Sequence, residues 1–323
     1  MKYNVYITRR IPNSGIDLLK KECNVEINPY DRLLSTTELI EALKDKDGMI
    51  CTLGDKLNAE TLNKLKGLKG IANYAVGYNN IDIQKATELG IPISNTPDVL
   101  TKTTAELAWS LLLSVSRRIV ETDNIMRNGK WKGWSPLQYL GIGVNNKTLG
   151  IIGAGRIGTA MAKMSKGFEM DIVYYDPNVN DILENELKAR KLELEDLLKE
   201  ADFISIHTPL NENTRHLITE KEIRLMKETA FIINTSRGPV IKEKDLVKCL
   251  SEKVISGAGL DVYEFEPEPV EGLCELNNVV ITPHIGSATS ETRDKMGVMA
   301  AGNLLAMLKG EKVPNIVNTD VYK

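Results

Sequence analysis

One stretch limits what this chain can fold into more than any other: TLGIIGAGRIG at 148–158, with DIVYYD following at 171–176. An apolar run, Thr148 to Ile152, leads directly into Gly153-Ala154-Gly155-Arg156-Ile157-Gly158. Ala160, Met161, Met164 and Phe168 then recur at helical spacing, and a second β-rich run ends on Asp176. The order is strand, tight turn, helix, strand, acid, which is the pattern of a dinucleotide site. Gly153 permits the sharp turn, Gly155 lets backbone approach a pyrophosphate, and Gly158 lets the helix pack against the strand. The helix N-terminus turns unpaired N–H groups and a positive dipole end toward phosphates. An acid at Asp176 binds a ribose 2′-hydroxyl and repels a 2′-phosphate, favouring NAD over NADP. The plainer reading of Asp176, as a cap on the turn at Pro177, stays open.

At 323 residues the chain has room for two domains, and 42% hydrophobic with 26% charged residues is ordinary for a soluble globular protein. A net charge of −3 gives no electrostatic case for nucleic acid or an anionic membrane. The N-terminus alternates like a strand, without the apolar core of a secretory signal, and no apolar run reaches membrane-spanning length. Cys23, Cys51, Cys249 and Cys274 are scattered, which fits a reduced, cytoplasmic protein. Only His207, His216 and His284 are available for acid–base work, too few for a His-rich metal site, and no metal is expected.

The chain alternates throughout between β-rich runs and amphipathic segments, implying an α/β fold with parallel sheets. Strands are expected at 3–8, 25–28, 49–53, 70–75 and 91–94, with helices at 14–23, 59–65 and 81–89. Ser35-Thr36-Thr37-Glu38 resembles a helix cap before Leu39, Ile40 and Leu43. After Asn95-Thr96-Pro97-Asp98 the pattern predicts one long helix over 101–126, in which Arg117-Arg118 complement the helix dipole. Trp131 and Trp134 sit on a glycine-rich loop, 128–143. Core anchor, subunit interface and lid are all open readings for them. Beyond Asp176 the pattern predicts an acidic helix at 183–201, helices at 220–227, 244–249 and 291–308, and strands at 203–207, 230–234, 256–262 and 279–282.

In open parallel sheets, ligands bind beyond the carboxyl ends of the strands. Those ends carry Gly153–Gly158, Asp176, His207-Thr208-Pro209, Ser236-Arg237, Asp261 with Glu266, and His284. This inventory contains what ketone reduction requires. Arg237 can grip a carboxylate with two hydrogen bonds and polarise the adjacent carbonyl. His284 can protonate the carbonyl oxygen as hydride arrives, and Glu266 can fix the imidazole tautomer and favour its charged form. Taken singly, each has a plain alternative: Arg237 as a surface ion pair, Glu266 as a solvated charge in EFEPEPVEG, His284 as a turn residue. Their joint placement after strands of one nucleotide domain favours chemistry. His207 reads as a structural or cofactor-edge residue and His216 as a surface residue.

TLGIIGAGRIG, ISIHTPLNENTRHLI, LMKETAFIINTSRGPVI, GAGLDVYEFEPEP and VVITPHIGSAT, in this order, make the chain similar throughout to the D-isomer-specific 2-hydroxyacid dehydrogenases. NYAVGYNNIDI, NTPDVLTKTTAELAWSLLLSVSRRIVE and GKWKGWSP resemble the glyoxylate/hydroxypyruvate reductase (glycerate dehydrogenase) branch. That resemblance implies Arg237, Glu266 and His284 as the catalytic set. It implies a substrate-carboxylate loop at Val76 and Gly77, with Ser287 near the substrate and Trp134 reaching a partner subunit's site. Cofactor contacts are implied at Gly153, Gly155, Arg156, Ile157, Gly158, Asp176, Thr208, Pro209, Ser236, Asp261 and Gly286. It further implies a Rossmann-type NAD-binding domain at 100–284, inserted into a flavodoxin-like substrate domain formed by 1–99 and completed by 285–323. The expected protein is a homodimer, joined through the long helix after Pro97. It would reduce glyoxylate or hydroxypyruvate with NADH to glycolate or D-glycerate. Alternatives are a 2-ketogluconate-type, D-lactate or 3-phosphoglycerate dehydrogenase, or a nucleotide-sensing protein like the corepressors that share the fold.

Overall fold

The structure, a computed structural model, describes residues 2–323. Up to Leu100 the chain runs β1 (Tyr3–Ile7), α1 (Asn13–Lys20), β2 (Cys23–Ile27), α2 (Thr36–Ala42), β3 (Gly48–Cys51), α3 (Ala59–Lys64), β4 (Ile71–Asn73), α4 (Ile83–Glu88) and β5 (Ile93–Ser94). There follow α5 (Thr101–Ser116), α6 (Ile119–Arg127), β6 (Thr148–Ile152), α7 (Arg156–Met164), β7 (Asp171–Tyr175), α8 (Asp181–Leu187), β8 (Arg190–Lys191), α9 (Leu194–Glu200) and β9 (Phe203–Ile206). The remaining elements are α10 (Glu220–Ile223), β10 (Phe231–Asn234), α11 (Glu243–Ser251), β11 (Gly257–Leu260), β12 (Val279–Ile281) and α12 (Ser290–Lys309). They form two compact units: the chain up to Leu100 together with Ser287–Lys323, and Thr101–Gly286.

In the first unit the helices begin where side chains can satisfy their orphan N–H groups. Ser35 and Glu38 form a reciprocal capping box on α2, while Asn58 caps α3 and Asp82 caps α4. The strands pair in parallel in the order β2-β1-β3-β4-β5, the flavodoxin-like order. Val5, Ile7, Ile16, Leu19, Ile50 and Ala72 share one core with Ala300, Ala301, Leu304 and Leu308 of α12. Glycine makes that approach possible, because a Cβ on Gly15 would lie 2.6 Å from the carbonyl carbon of Gly297. Cys23 opens β2, whereas the helical pattern of 14–23 ran through it; α1 stops at Lys20 and the chain turns at once into the sheet.

The second unit is a seven-stranded parallel sheet, β12-β11-β10-β9-β6-β7-β8. Counted from β6, this is the doubly-wound order with one additional strand at the β12 edge. The order reverses between β6 and β9, so their carboxyl ends flank a crevice for ligand. Central strands buried on both faces read as mostly apolar runs: FISI, FIIN and TLGII contribute Phe203, Ile204, Ile206, Ile232, Ile233, Leu149 and Ile151 at 0% exposure.

Three expectations fail here for local reasons. The helix predicted over 101–126 is two helices, broken where Arg118 adopts a left-handed backbone, φ 56°. The carbonyl of Ser116, which a continuous helix would pair internally, accepts instead from the N–H of Ile142 at 2.9 Å. Arg118 then pairs with Glu121 through two bonds, 2.7 and 2.8 Å, so it serves the start of α6 rather than the end of a longer helix. The acidic stretch 183–201 is likewise interrupted. Lys188 terminates α8 in the left-handed region, and Arg190-Lys191 pair with Val173-Tyr174 as a charged edge strand. The helix predicted over 220–227 is a single turn, Glu220–Ile223.

Candidate active site

The glycine loop follows β6 as its spacing requires. Gly153 has φ 95°, and a Cβ there would lie 2.7 Å from the carbonyl carbon of His207 and the nitrogen of Thr208. The loop therefore lies against the end of β9. A Cβ on Gly158 would meet the carbonyl oxygen of Gly153, so only glycine lets α7 begin this close to its strand. At Gly155 an added Cβ would meet nothing within 4 Å, and no side chain caps α7. Backbone faces open space at a helix N-terminus, the setting that receives phosphates. Thr208 supplies a second mark of fit, a buried hydroxyl with no hydrogen-bond partner among the described residues.

Asp176 follows β7, and its carboxylate is fixed by backbone. Oδ2 accepts from the N–H of Ala154 at 2.9 Å, and Oδ1 from the N–H of Asn178 at 2.8 Å. Each oxygen retains capacity for another donor. Both readings of Asp176 are therefore compatible with the geometry: it braces its own turn and the glycine loop together. Asn180, unnoticed in the sequence, completes the brace. Its Nδ2 donates to the Ala154 carbonyl at 2.7 Å and to Thr159 Oγ1 at 2.9 Å, and its Oδ1 caps α8. An Asn before the acidic first turn of DILENEL was the available signal.

The ends of β10, β11 and β12 bring Arg237, Glu266 and His284 together. Asn234, buried at the end of β10, shapes the turn: its Oδ1 accepts from Ser236 N and Oγ, and its Nδ2 donates to the Arg237 carbonyl at 3.0 Å. Arg237 donates to the carbonyl of Ser236 at 2.6 Å. Burial pulls the guanidinium pKa down, and the charge of Glu266 opposes this, so the two groups sense one another. Glu266 Oε2 meets His284 Nδ1 at 2.9 Å, while Oε1 accepts from the Tyr263 N–H at 3.2 Å. Burial pushes the Glu266 pKa up, but the bond and charge of His284, the Tyr263 amide and Arg237 outweigh it, so the carboxyl titrates below its ordinary value. Glu266 is thus paired with His284 while its side chain stays 37% exposed, so it faces solvent and the imidazole at once.

His284 occupies the left-handed region, φ 53°, uncommon for a side chain of this size. Asp261, 1% exposed, enforces that turn. It accepts from Thr282 Oγ1 at 2.6 Å, Ile285 N at 2.7 Å and Gly286 N at 2.8 Å. Burial raises its pKa against those bonds. Gly286 is also tied by its carbonyl to Thr104 at 3.1 Å.

His207 shares a 2.8 Å bond with Ser205 Oγ, and desolvation lowers its pKa to about 3, leaving a neutral ring at the edge of the crevice. His216 keeps a side chain 34% exposed and also has a partner. Its Nε2 meets Glu264 at 2.6 Å, and the Glu264 side chain is 8% exposed. No sequence signal links the two, because the partner arrives from the far side of two intervening strands.

Val76, Gly77 and Ser287 belong to the first unit. There Asn95 Nδ2 holds the Val76 carbonyl and Asn73 Nδ2 the Gly77 carbonyl, each at 2.8 Å. Trp134 is 82% exposed and Trp131 47%, so neither anchors a core within its unit. Pro209 is exposed beside Thr208, and Arg156 and Ile157 form the first turn of α7.

A doubly-wound sheet, a glycine loop at its switch point and an Arg–Glu–His set at neighbouring strand ends define a nucleotide-dependent oxidoreductase. Comparison with known proteins gives the family. The model for the D-isomer specific 2-hydroxyacid dehydrogenase NAD binding domain matches residues 109–286. A glyoxylate reductase of Thermococcus litoralis is 50% identical, over 99% of this chain and 98% of its own length. Among solved structures, a glyoxylate reductase from Paecilomyes thermophila has a TM-score of 0.87 at 32% identity, covering 98% of both chains. An NADPH-dependent glyoxylate/hydroxypyruvate reductase from Sinorhizobium meliloti, in complex with NADP and malonate, has a TM-score of 0.88 at 26% identity, covering 99% of this chain and 98% of its own. The chain belongs to the D-isomer specific 2-hydroxyacid dehydrogenase family. It is an oxidoreductase of CH–OH groups that uses a nicotinamide dinucleotide. No helix among the described residues is long and apolar enough to cross a membrane.

Proposed function

We propose that this enzyme reduces glyoxylate or hydroxypyruvate to glycolate or D-glycerate, with NADH preferred over NADPH, as a cytoplasmic homodimer. The observation that carries the reading is the 2.9 Å bond between Glu266 and His284, with Arg237 close enough for its charge to be felt. Nδ1 faces the carboxylate, so Nε2 is the nitrogen left for substrate. Glu266 holds the ring in that orientation and stabilises its charged form. His284 delivers a proton to the carbonyl oxygen and recovers it in the reverse direction. Arg237 clamps the substrate carboxylate and polarises the neighbouring carbonyl. The cofactor, when bound, supplies the hydride. Gly153, Gly155, Gly158, Arg156 and Ile157 would hold its pyrophosphate, Asp176 its adenosine ribose, and Thr208, Pro209, Ser236, Asp261 and Gly286 would line its nicotinamide side.

We assign the carboxylate loop to Val76 and Gly77, with Ser287 alongside, and the unit containing them to substrate binding. Tethering of the Val76 and Gly77 carbonyls by Asn95 and Asn73 supports this, because the N–H groups of Gly77 and Tyr78, opposite those carbonyls in trans peptides, are then turned away from the tethers. The NADH preference rests on the charge of Asp176. The dimer rests on an apolar surface that the unit leaves uncovered along α6 and the loop after it: Met126 57%, Trp134 82%, Leu137 81% and Leu140 62% exposed. Initial rates of NADH and NADPH oxidation with a panel of 2-oxo acids test the assignment. Activity confined to a phosphorylated acid would overturn it.

A further inference from the structure

The loop that presents Glu266 is held from below by two other glutamates. Glu243, the first residue of α11, is 3% exposed and forms no ion pair among the described residues. Its carboxylate instead takes two backbone amides: Glu264 N–H on Oε2 at 2.6 Å and Val270 N–H on Oε1 at 2.9 Å. These two donors flank residues 265–269, the segment containing Glu266. Glu264 returns the contact. Its Oε2 accepts from the Glu243 N–H at 3.1 Å, and its Oε1 meets His216 Nε2 at 2.6 Å.

The segment closes on itself through Glu268 N–H to the Phe265 carbonyl at 3.0 Å. The turn that carries Arg237 lies directly against the start of this loop. A Cβ on Gly238 would overlap the Tyr263 carbonyl and lie 2.5 Å from the Glu264 nitrogen. A buried carboxylate is costly unless its lone pairs are satisfied, so two glutamates retained here must be answered by fixed donors. The donors they find are the two ends of one loop, and the N-terminus of α11 favours their charge.

We propose that Glu243 is a positioning residue for proton transfer. With Glu264 and His216 it clamps the ends of the 264–270 loop, so that the Glu266 carboxylate meets His284 Nδ1 in one geometry. The inference rests on the reading of Glu266 as the acid that orients His284. Glu243→Gln keeps the shape but leaves a single acceptor oxygen where two amides need one each. The expected result is a fall in kcat of roughly ten- to a hundredfold, since a misplacement of about 1 Å in a catalytic group can cost about a hundredfold. KM for the 2-oxo acid and NADH affinity, read by tryptophan quenching, stay within about twofold.

Because Glu243 acts through Glu266, its loss is not multiplied in the double variant Glu243→Gln/Glu266→Gln. Fully multiplicative losses, or a kcat unchanged by Glu243→Gln, overturn the proposal. The chain has three histidines, so long-range imidazole 15N spectra of the cofactor-free protein give an activity-independent readout. At a pH high enough for the ring to be neutral, wild type should show one His284 tautomer protonated at Nδ1, and Glu243→Gln a mixture; an unchanged tautomer also overturns it. If Glu243→Gln does not fold, Glu264→Gln removes the carboxylate from His216 and is expected to act in the same non-multiplicative way. Multiplicative loss there again counts against the clamp. Should Glu266→Gln alone leave turnover intact, the catalytic reading falls, and the imidazole spectra still decide whether Glu243 holds the Glu266–His284 bond.

Discussion

Replacing His207 should change how stability depends on pH. In the folded chain its ring titrates at about 3 rather than an ordinary 6.5, because burial penalises the charged form. Between those values the unfolded chain binds a proton that the folded chain refuses. Stability contributed by the neutral ring is therefore complete above about pH 6.5 and is lost as pH falls toward 3. The whole window is worth roughly 5 kcal/mol, and the part between about pH 7.5 and pH 4.5 roughly 3 kcal/mol. His207→Gln keeps a polar group near Ser205 but does not titrate. All three tryptophans, Trp109, Trp131 and Trp134, lie in the Thr101–Gly286 unit, and Trp109 is buried, so fluorescence follows unfolding of the unit that contains His207. Urea unfolding of both proteins at the two pH values gives the difference directly, because titrations common to both cancel. The variant should lose roughly 3 kcal/mol less than wild type on acidification. Equal losses to within about 0.5 kcal/mol would refute the argument that His207 is held neutral by burial.

Other perturbations have equally definite outcomes. His284→Ala should lower kcat by about 10²- to 10⁴-fold while NADH still quenches fluorescence with unchanged affinity; high residual turnover removes it as the acid. Asp176→Ala should raise kcat/KM for NADPH relative to NADH, and an unmoved ratio would remove charge at Asp176 as the selector. Gly238→Ala places a methyl group into the Tyr263 carbonyl and should cost about 1–3 kcal/mol or more in urea unfolding, with kcat falling alongside. Leu137→Glu with Leu140→Glu should convert a dimer to monomers by light scattering; unchanged mass would move the interface elsewhere.

What could be read from the chain followed from how local each constraint is. The glycine loop, the box at Ser35 and Glu38, and the apolar strands declare themselves within a few residues, and each forms where expected. Arg237, Glu266 and His284 were recognisable because they follow strands, and strand ends converge in a parallel sheet. The break at Arg118 was hidden because its cause, the Ile142 amide on the Ser116 carbonyl, lies outside the helical stretch. Arg190-Lys191 carried no strand signal of their own and become β8 only because the β7 edge is there to receive them. His216 looked idle for a similar reason: its partner Glu264 is contributed by the loop after β11. Asn234 reads as the last residue of its strand, yet its side chain accepts from the N–H two residues on and so shapes the turn on which Arg237 stands.

Arg237, Glu266 and His284 are assigned here to NADH-linked reduction of a small unphosphorylated 2-oxo acid. The most direct test of this assignment is kcat/KM for glyoxylate, hydroxypyruvate, pyruvate, 2-ketogluconate and phosphohydroxypyruvate, each with NADH and NADPH in parallel. The highest values are expected for glyoxylate or hydroxypyruvate with NADH. No turnover of either, beside rapid reduction of the phosphorylated acid, would contradict the assignment.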